Sequence, residues 1–313
     1  VFQIPFDKKM MLFAKMQRME QMNTLHRCVI VKIDKALKAE GIQAVFMKGQ
    51  TVALRYPNPL HRTPGDIDFV VALKDFERTM AVMEKIGKVD HGLVHEHHGM
   101  AWVDGVTVEP HYKVHNYQRP STDQAMQEMF SSVFPSELSS ADIDGYEVSV
   151  FSPTFESIFL ISHMVNHVYE EGLGLRQVID YAMFLHHCAD KIDWMQHHEW
   201  LYRMHMERAW RIFTCICVEY LGLPLPSQVE PFSYNERKWA AALVEDIMRV
   251  GNFGRGEYVF KHQGVMDAWQ NYCWVAERCI RLGFVCPSEA RWWMISKVKR
   301  FFWKKKIEKG KKG

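Results

Sequence analysis

No stretch of this 313-residue chain stays apolar for the 18 or so residues that a membrane-spanning helix requires, so a helical membrane protein is not expected. Cysteine is sparse and unpaired in pattern. The seven residues Cys28, Cys188, Cys215, Cys217, Cys273, Cys279 and Cys286 are odd in number and show no C-x-x-C spacing. That excludes a secreted disulfide framework and a zinc ribbon, and the expectation is a reducing, cytoplasmic setting. The opening residues lack the basic-then-apolar order of a signal peptide, while a start on Val instead of Met leaves room for an upstream segment. Charge of one sign is also missing overall. The formal net charge is +2, yet Lys297 to Gly313 carries nine Lys or Arg against one Glu. The preceding body is therefore mildly acidic and the tail strongly basic. At 48% hydrophobic content the chain can bury a core large enough for two domains, or for one domain with a sizeable helical extension.

What is present centres on Ala44 to Val71. An apolar segment ends in Lys48-Gly49-Gln50, a connector holds Tyr56-Pro57, and Arg62-Thr63-Pro64-Gly65 leads into Asp66-Ile67-Asp68-Phe69-Val70-Val71. On a strand, Asp66 and Asp68 leave the same face while Ile67 and Phe69 point to the other. Paired carboxylates of this kind suit one or two magnesium ions, hard cations that take oxygen ligands and bind substrate phosphates. Taken alone, D-x-D is as often a surface turn. A third acid, Glu109, lies within the alternating segment Val106 to Tyr112, which Asp104-Gly105 joins to Gly99 to Val103 as a tight hairpin. Gly49 at a strand-to-helix turn would let backbone approach a phosphate closely, and Lys48 either adds a charge there or is a solvated strand end.

A strand ending in Lys48-Gly49, a short helix ending in Tyr56-Pro57, an Arg, Asp66-Ile67-Asp68, and a strand acid two residues before His111 resemble the uncharacterised nucleotidyltransferase family of the polymerase-β superfamily. The resemblance implies an α/β (α+β) fold, a mixed sheet with helices, followed by a C-terminal helical bundle. It implies that Gly49 opens a helix beneath the nucleotide phosphates, that Asp66 and Asp68 bind metal, and that Glu109 completes the site. Lys48, Gln50 and Arg62 are the further phosphate-binding candidates, and His111 the candidate substrate contact or general base. The implied reaction moves a nucleoside monophosphate from an NTP, expected to be ATP, to an unidentified acceptor with release of pyrophosphate and help from Mg2+ or Mn2+. Gln50 departs from the pattern, since the superfamily usually places Ser or another small residue after its Gly. The alternative is a non-catalytic nucleotide-sensing or protein-interaction module that keeps the fold.

Around this stretch the expected organisation is an N-terminal helical segment (1–41), the α/β domain (42–151), a helical domain (152–290) and a basic aromatic tail (291–313). Asp7 to Glu40 contains neither Pro nor Gly, and helical spacing runs through Met11, Phe13, Ala14, Met22, Leu25, Val29, Ile30, Ile33 and Leu37. Helices are predicted at Lys74 to Ile86 and Ser121 to Ser131, strands at Gly92 to His95 and Tyr146 to Phe151. Beyond Ser152-Pro153 six helices follow, at Pro153 to Tyr169, Leu175 to Cys188, Trp194 to Met204, Glu207 to Leu221, Asn235 to Val250 and Val265 to Leu282. His91, His95, His97, His98, His111 and His115 cluster in sequence, but no H-E-x-x-H spacing occurs, and they read as surface or cleft residues ahead of a zinc site. His163 with His167 and Arg176 with Asp180, each pair at i and i+4, fit structural seams. Arg291 to Lys306 interleaves Trp and Phe with cations, a pattern suited to docking on the body or to a peripheral membrane-surface contact, with nucleic acid a poorer fit.

Overall fold

The computed structural model describes residues 4–90, 98–251 and 265–310, with side chains described for all of these except 265–268 and 299–310. The chain divides into two compact units. One comprises Val1–Asn116 with Phe130–Glu156, the other Tyr117–Met129 with Ser157–Gly313.

The first unit is built on a seven-stranded sheet in the order β3-β4-β5-β2-β1-β7-β6. Its strands are β1 (Val45–Met47), β2 (Ile67–Val70), β3 (Lys88–Asp90), β4 (Met100–Val103), β5 (Val106–His111), β6 (Leu138–Ile143) and β7 (Tyr146–Phe151). The sheet is mixed: β2 runs parallel to β5 and β1 parallel to β7, while β1 and β2 are antiparallel. Side-chain alternation then divides it into two chemically different faces. Phe46, Ile67, Phe69, Ala101, Val108 and Val150 join a core with Val29, Ile30, Ile33 and Leu37 of helix α1 (Phe6–Ala39) and Val82 and Met83 of helix α3 (Phe76–Ile86). Asp68 and Glu109 belong to the other face.

Helix α1 has the predicted extent because nothing between Asp7 and Glu40 breaks it, and Gly41 leaves it at φ +70°. The apolar spacing continues beyond the packed part: Met11, Phe13, Met22 and Leu25 are exposed, because the core that α1 covers begins at Val29. Asp104-Gly105, with φ of +51° and +83°, forms the predicted hairpin turn. Asp144-Gly145 makes the same turn, at +54° and +85°, between β6 and β7. Strand β6 escapes prediction because Leu-Ser-Ser-Ala-Asp-Ile lacks apolar alternation, although its Asp-Gly turn was a usable signal. The strand expected at Gly92 to His95 lies outside the described residues.

The second unit is helical. It holds α6 (Leu175–Cys188), α7 (Trp194–Met204), α8 (Glu207–Glu219), α9 (Tyr234–Val250), α10 (Val265–Arg281) and α11 (Pro287–Gly310), while α4 (Pro120–Val133) and α5 (Pro153–Glu170) contribute residues to both units. Tyr169, Tyr181, Phe184, Phe213 and Trp293 are fully buried in it. The start of the basic aromatic segment is thus docked: Trp293 lies in the core with Lys297 Nζ 5.4 Å from its ring centre. Ser233 and Glu236 form a reciprocal capping box that starts α9. Among the described residues, no helix is long and apolar enough to cross a membrane.

Candidate active site

The site begins with a register. In the parallel pairing of β2 with β5, Asp68 stands opposite Glu109, so both carboxylates leave the same face side by side. Asp66, just ahead of β2, shares that face at a separation of two residues. One carboxylate oxygen each from Asp66, Asp68 and Glu109 lies within 4.8 Å of the others. Their environments are graded: Asp66 is exposed, Glu109 half-buried and Asp68 buried.

Lys48 closes β1 in a backbone conformation rare for a residue with a side chain, φ +56° and ψ −153°. Gly49 follows at φ +46°, and a Cβ there would sit 3.4 Å from the Asp66 carbonyl oxygen. The turn therefore needs glycine for its φ more than for its space. It delivers Lys48 Nζ to Asp68 Oδ1 at 3.0 Å, and His111 Nε2 donates to the same oxygen at 3.1 Å. Burial opposes ionisation of Asp68, but the Lys48 ammonium and the His111 hydrogen bond outweigh it and hold the carboxyl well below the usual carboxylate range. Burial likewise pulls on Lys48, and the charges of Asp68, Asp66 and Glu109 overcome it and raise its pKa. His111 goes the other way, its pKa lowered chiefly by burial against the pull of Asp68. Three carboxylates thus converge on one face, with the Lys48 ammonium bonded to the most buried of them.

The loop before Asp66 is tied to α1. Asn23 Nδ2 donates to the carbonyls of Leu60 (2.6 Å) and Arg62 (2.8 Å), and a ring nitrogen of His26 lies 2.7 Å from the Gly65 carbonyl. Asn23 Oδ1 accepts from Gln50 Nε2 at 2.7 Å, so the same helix anchors the first turn of α2 (Gly49–Ala53). These positioning residues were missed in the sequence. The available signal was a polar set, Asn23, His26 and Arg27, interrupting the apolar spacing of α1 at helical intervals.

The structure thus brings Asp66, Asp68, Glu109, Lys48 and His111 together, with Gly49 at the turn beside them. The Gln50 side chain is instead turned to Asn23, with its Oε1 3.5 Å from Arg27 Nε. Arg62 is buried, its Nη1 3.3 Å from the Thr63 carbonyl. Arg55 makes a two-pronged ion pair with Glu156 at 2.7 and 2.6 Å, a structural contact. His98, not singled out from its neighbours in the sequence, reaches Glu109 Oε2 at 3.7 Å. His91, His95 and His97 lie outside the described residues. His163 and His167 belong to the second unit, where their Nε2 atoms approach to 3.0 Å as a hydrogen-bonded pair.

A mixed sheet with an acidic triad on one face, and a lysine-glycine turn between its first strand and a helix, defines a nucleotidyltransferase. The chain belongs to the uncharacterised nucleotidyltransferase family, whose sequence signature matches residues 3–222. No individually curated protein matches it. Among solved structures it is similar to the antibiotic-resistance factor ANT(2'')-Ia, at 14% identity and a TM-score of 0.41, over 58% of this chain and 98% of that one. It is also similar to an antigenic nucleotidyltransferase-like protein from Paracoccidioides brasiliensis, at 14% identity and a TM-score of 0.32, over 53% of this chain and 75% of that one.

Proposed function

We propose that the protein transfers a nucleoside monophosphate from an NTP, ATP foremost, to an acceptor and releases pyrophosphate, using Mg2+ or Mn2+. The observation that carries the reading is the β2–β5 register that sets Asp68 beside Glu109, with Asp66 on the same face.

The donor set fits a hard divalent cation, since it is all carboxylate oxygen. Asp66, Asp68 and Glu109 would hold it, and the chemistry it supplies is neutralisation of charge on the phosphate and attacking oxygens. The protein's own groups do the rest. Asp66, exposed, is the carboxylate first met by an incoming metal-nucleotide. Lys48 keeps Asp68 ionised and fixed, and places a positive charge where a phosphate arrives. Gly49 holds the turn that brings the backbone of α2 toward that phosphate, and Gln50 contributes through its backbone N–H, its side chain being committed to α1. Arg62, buried on the loop that leads to Asp66, is a further source of positive charge for the phosphates. Glu109, half-buried, takes the acceptor's proton or orients its hydroxyl. His111, at 2% exposure, orients Asp68 rather than meeting the acceptor. Such a site works by positioning and charge neutralisation, which is most of what phosphoryl transfer needs.

The test is calorimetric titration of each NTP, with Mg2+ or Mn2+, into the wild type and an Asp66→Asn/Asp68→Asn variant. Binding that needs both the metal and the two acids supports the proposal and names the base. A folded wild type that binds no NTP with either metal overturns it.

A further inference from the structure

Glu109 belongs to two clusters, one with Asp66 and Asp68 and the other with two imidazoles that the nucleotidyl reading does not use as ligands. We propose that His98, Glu109 and His111 form a second cation site, taking a borderline transition ion such as zinc or cobalt and sharing Glu109 with the acidic triad.

The three groups offer two nitrogens and one oxygen, all within 4.8 Å of one another. Glu109 Oε2 lies 3.7 Å from His98 Nε2 and 3.8 Å from His111 Nε2. Ligands about 2.0–2.2 Å from one tetrahedral ion stand roughly 3.3–3.6 Å apart, so each carboxylate–imidazole pair closes by less than about half an ångström, and the two imidazole ligand atoms, which lie within 4.8 Å of each other, by no more than about 1.5 Å. Backbone geometry holds the two histidines in place. His98 and His111 face each other across an antiparallel bridge, Gly99 N–H donates to the Pro110 carbonyl at 2.9 Å, and the two rings sit 5.0 Å apart. Both imidazoles are buried, so neither ring has to be pulled out of bulk water to coordinate.

Donor chemistry separates the two sites. Imidazole nitrogen suits zinc, cobalt and similar ions, whereas magnesium prefers the all-oxygen triad. Coordination through His111 Nε2 exchanges its present hydrogen bond to Asp68, with the ring proton moving to Nδ1, and Lys48 continues to hold Asp68. Two imidazoles and one carboxylate leave open coordination positions, so a ligand could complete the shell. The inference does not depend on nucleotidyl transfer; it shares Glu109 and His111 with that proposal.

The probe is Co2+ added to the full chain without nucleotide, followed by visible absorption and calorimetry. The wild type is expected to bind one Co2+ with a d–d spectrum of mixed nitrogen and oxygen coordination. His98→Gln should weaken that binding by about 100-fold, on the scale of losing a metal-site contact, while Asp66→Asn should leave the spectrum unchanged. Absence of saturable Co2+ binding, or equal binding by wild type and a folded His98→Gln, overturns the site. Should His98→Gln fail to fold, zinc-edge anomalous diffraction from the wild type decides. A peak bonded to Nε2 of His98 and His111 supports the site, and a peak at Asp66 and Asp68 alone overturns it. Co2+ binding without any metal-dependent NTP binding would sink the nucleotidyl proposal and leave this one standing.

Discussion

Two buried aspartates, one in each unit, carry their charge in opposite ways. In the helical unit Asp246 is 1% exposed and is enclosed by guanidinium groups: Arg278 at 2.9 Å, Arg281 at 2.6 Å and Arg249 at 3.2 Å. Arg278 is itself fully buried and also donates to the Val168 carbonyl at 2.7 Å. Guanidinium groups outnumber the carboxylate there, and the innermost pair, Asp246 with Arg278, is sealed from solvent. In the sheet unit Asp68 is as deeply buried, but its cation, Lys48, is a lysine rather than a set of guanidiniums, and two further carboxylates converge on it, one of them the exposed Asp66. The first arrangement ties α9 to α10 through Arg278 and Arg281; the second groups three carboxylate oxygens within 4.8 Å of one another, with one of the acids exposed. Burial of a charge therefore does not by itself mark a functional residue.

The largest effect expected from this contrast is on stability. Asp246→Ala would leave Arg278 buried without its carboxylate, at a cost of about 3–5 kcal/mol in urea unfolding, with metal-NTP affinity unchanged in whatever fraction remains folded. An affinity change in that folded fraction would break the distinction between the two clusters.

Asp66→Asn should reverse the pattern. Its side chain is exposed, so unfolding should shift by no more than about 0.5 kcal/mol. Metal-NTP binding measured by calorimetry should weaken on the order of 100-fold, equivalent to about 2.7 kcal/mol. Loss of fold in this variant would show that the triad is structural.

A third buried carboxyl sharpens the comparison through pH. Glu289 lies within the helical unit with Thr122 Oγ1 donating to it at 2.6 Å, and burial pushes its carboxyl up to about 7. A carboxyl raised in the folded state binds its proton more tightly there than in the unfolded chain. Its stabilising contribution is thus complete below about pH 4.5 and is lost as pH rises to about 7, up to about 3 kcal/mol in all. Glu289→Gln should flatten that part of the stability-pH curve, as read by thermal melts across the range. The smallest effect is at the lysine-glycine turn. Gly49→Ala keeps enough room but forces a left-handed φ on a residue with a Cβ, costing roughly 1–2 kcal/mol.

Much of this was legible in the chain itself. Helices α6 and α7 stand where their apolar spacing put them, and α1 where the absence of Pro and Gly let it run. The β4–β5 hairpin follows from Asp104-Gly105. The Asp pair and Glu109 could be singled out only together, with the family resemblance behind them, since D-x-D alone is as often a surface turn and a mid-strand Glu alone often faces solvent. His98 could not be separated from the histidines around it, since its position depends on a bridge to His111 rather than on any local spacing. Asn23 and His26 were hidden for a related reason, their partners lying on a loop 37 or more residues away.

Local rules therefore determined many of the elements and their turns, because periodicity, turn chemistry and the alternation of side chains act over a few residues, while the acids were picked out by the resemblance that those elements frame. The tertiary structure alone decided that β2 and β5 pair in parallel with Asp68 opposite Glu109, that Lys48 points at Asp68, and that Gln50 turns to α1. A parallel pair has no hairpin to set its register. Burial of Ile67, Phe69 and Val108 beneath α1 and α3 sets it instead, and the acids on the opposite face meet as a consequence.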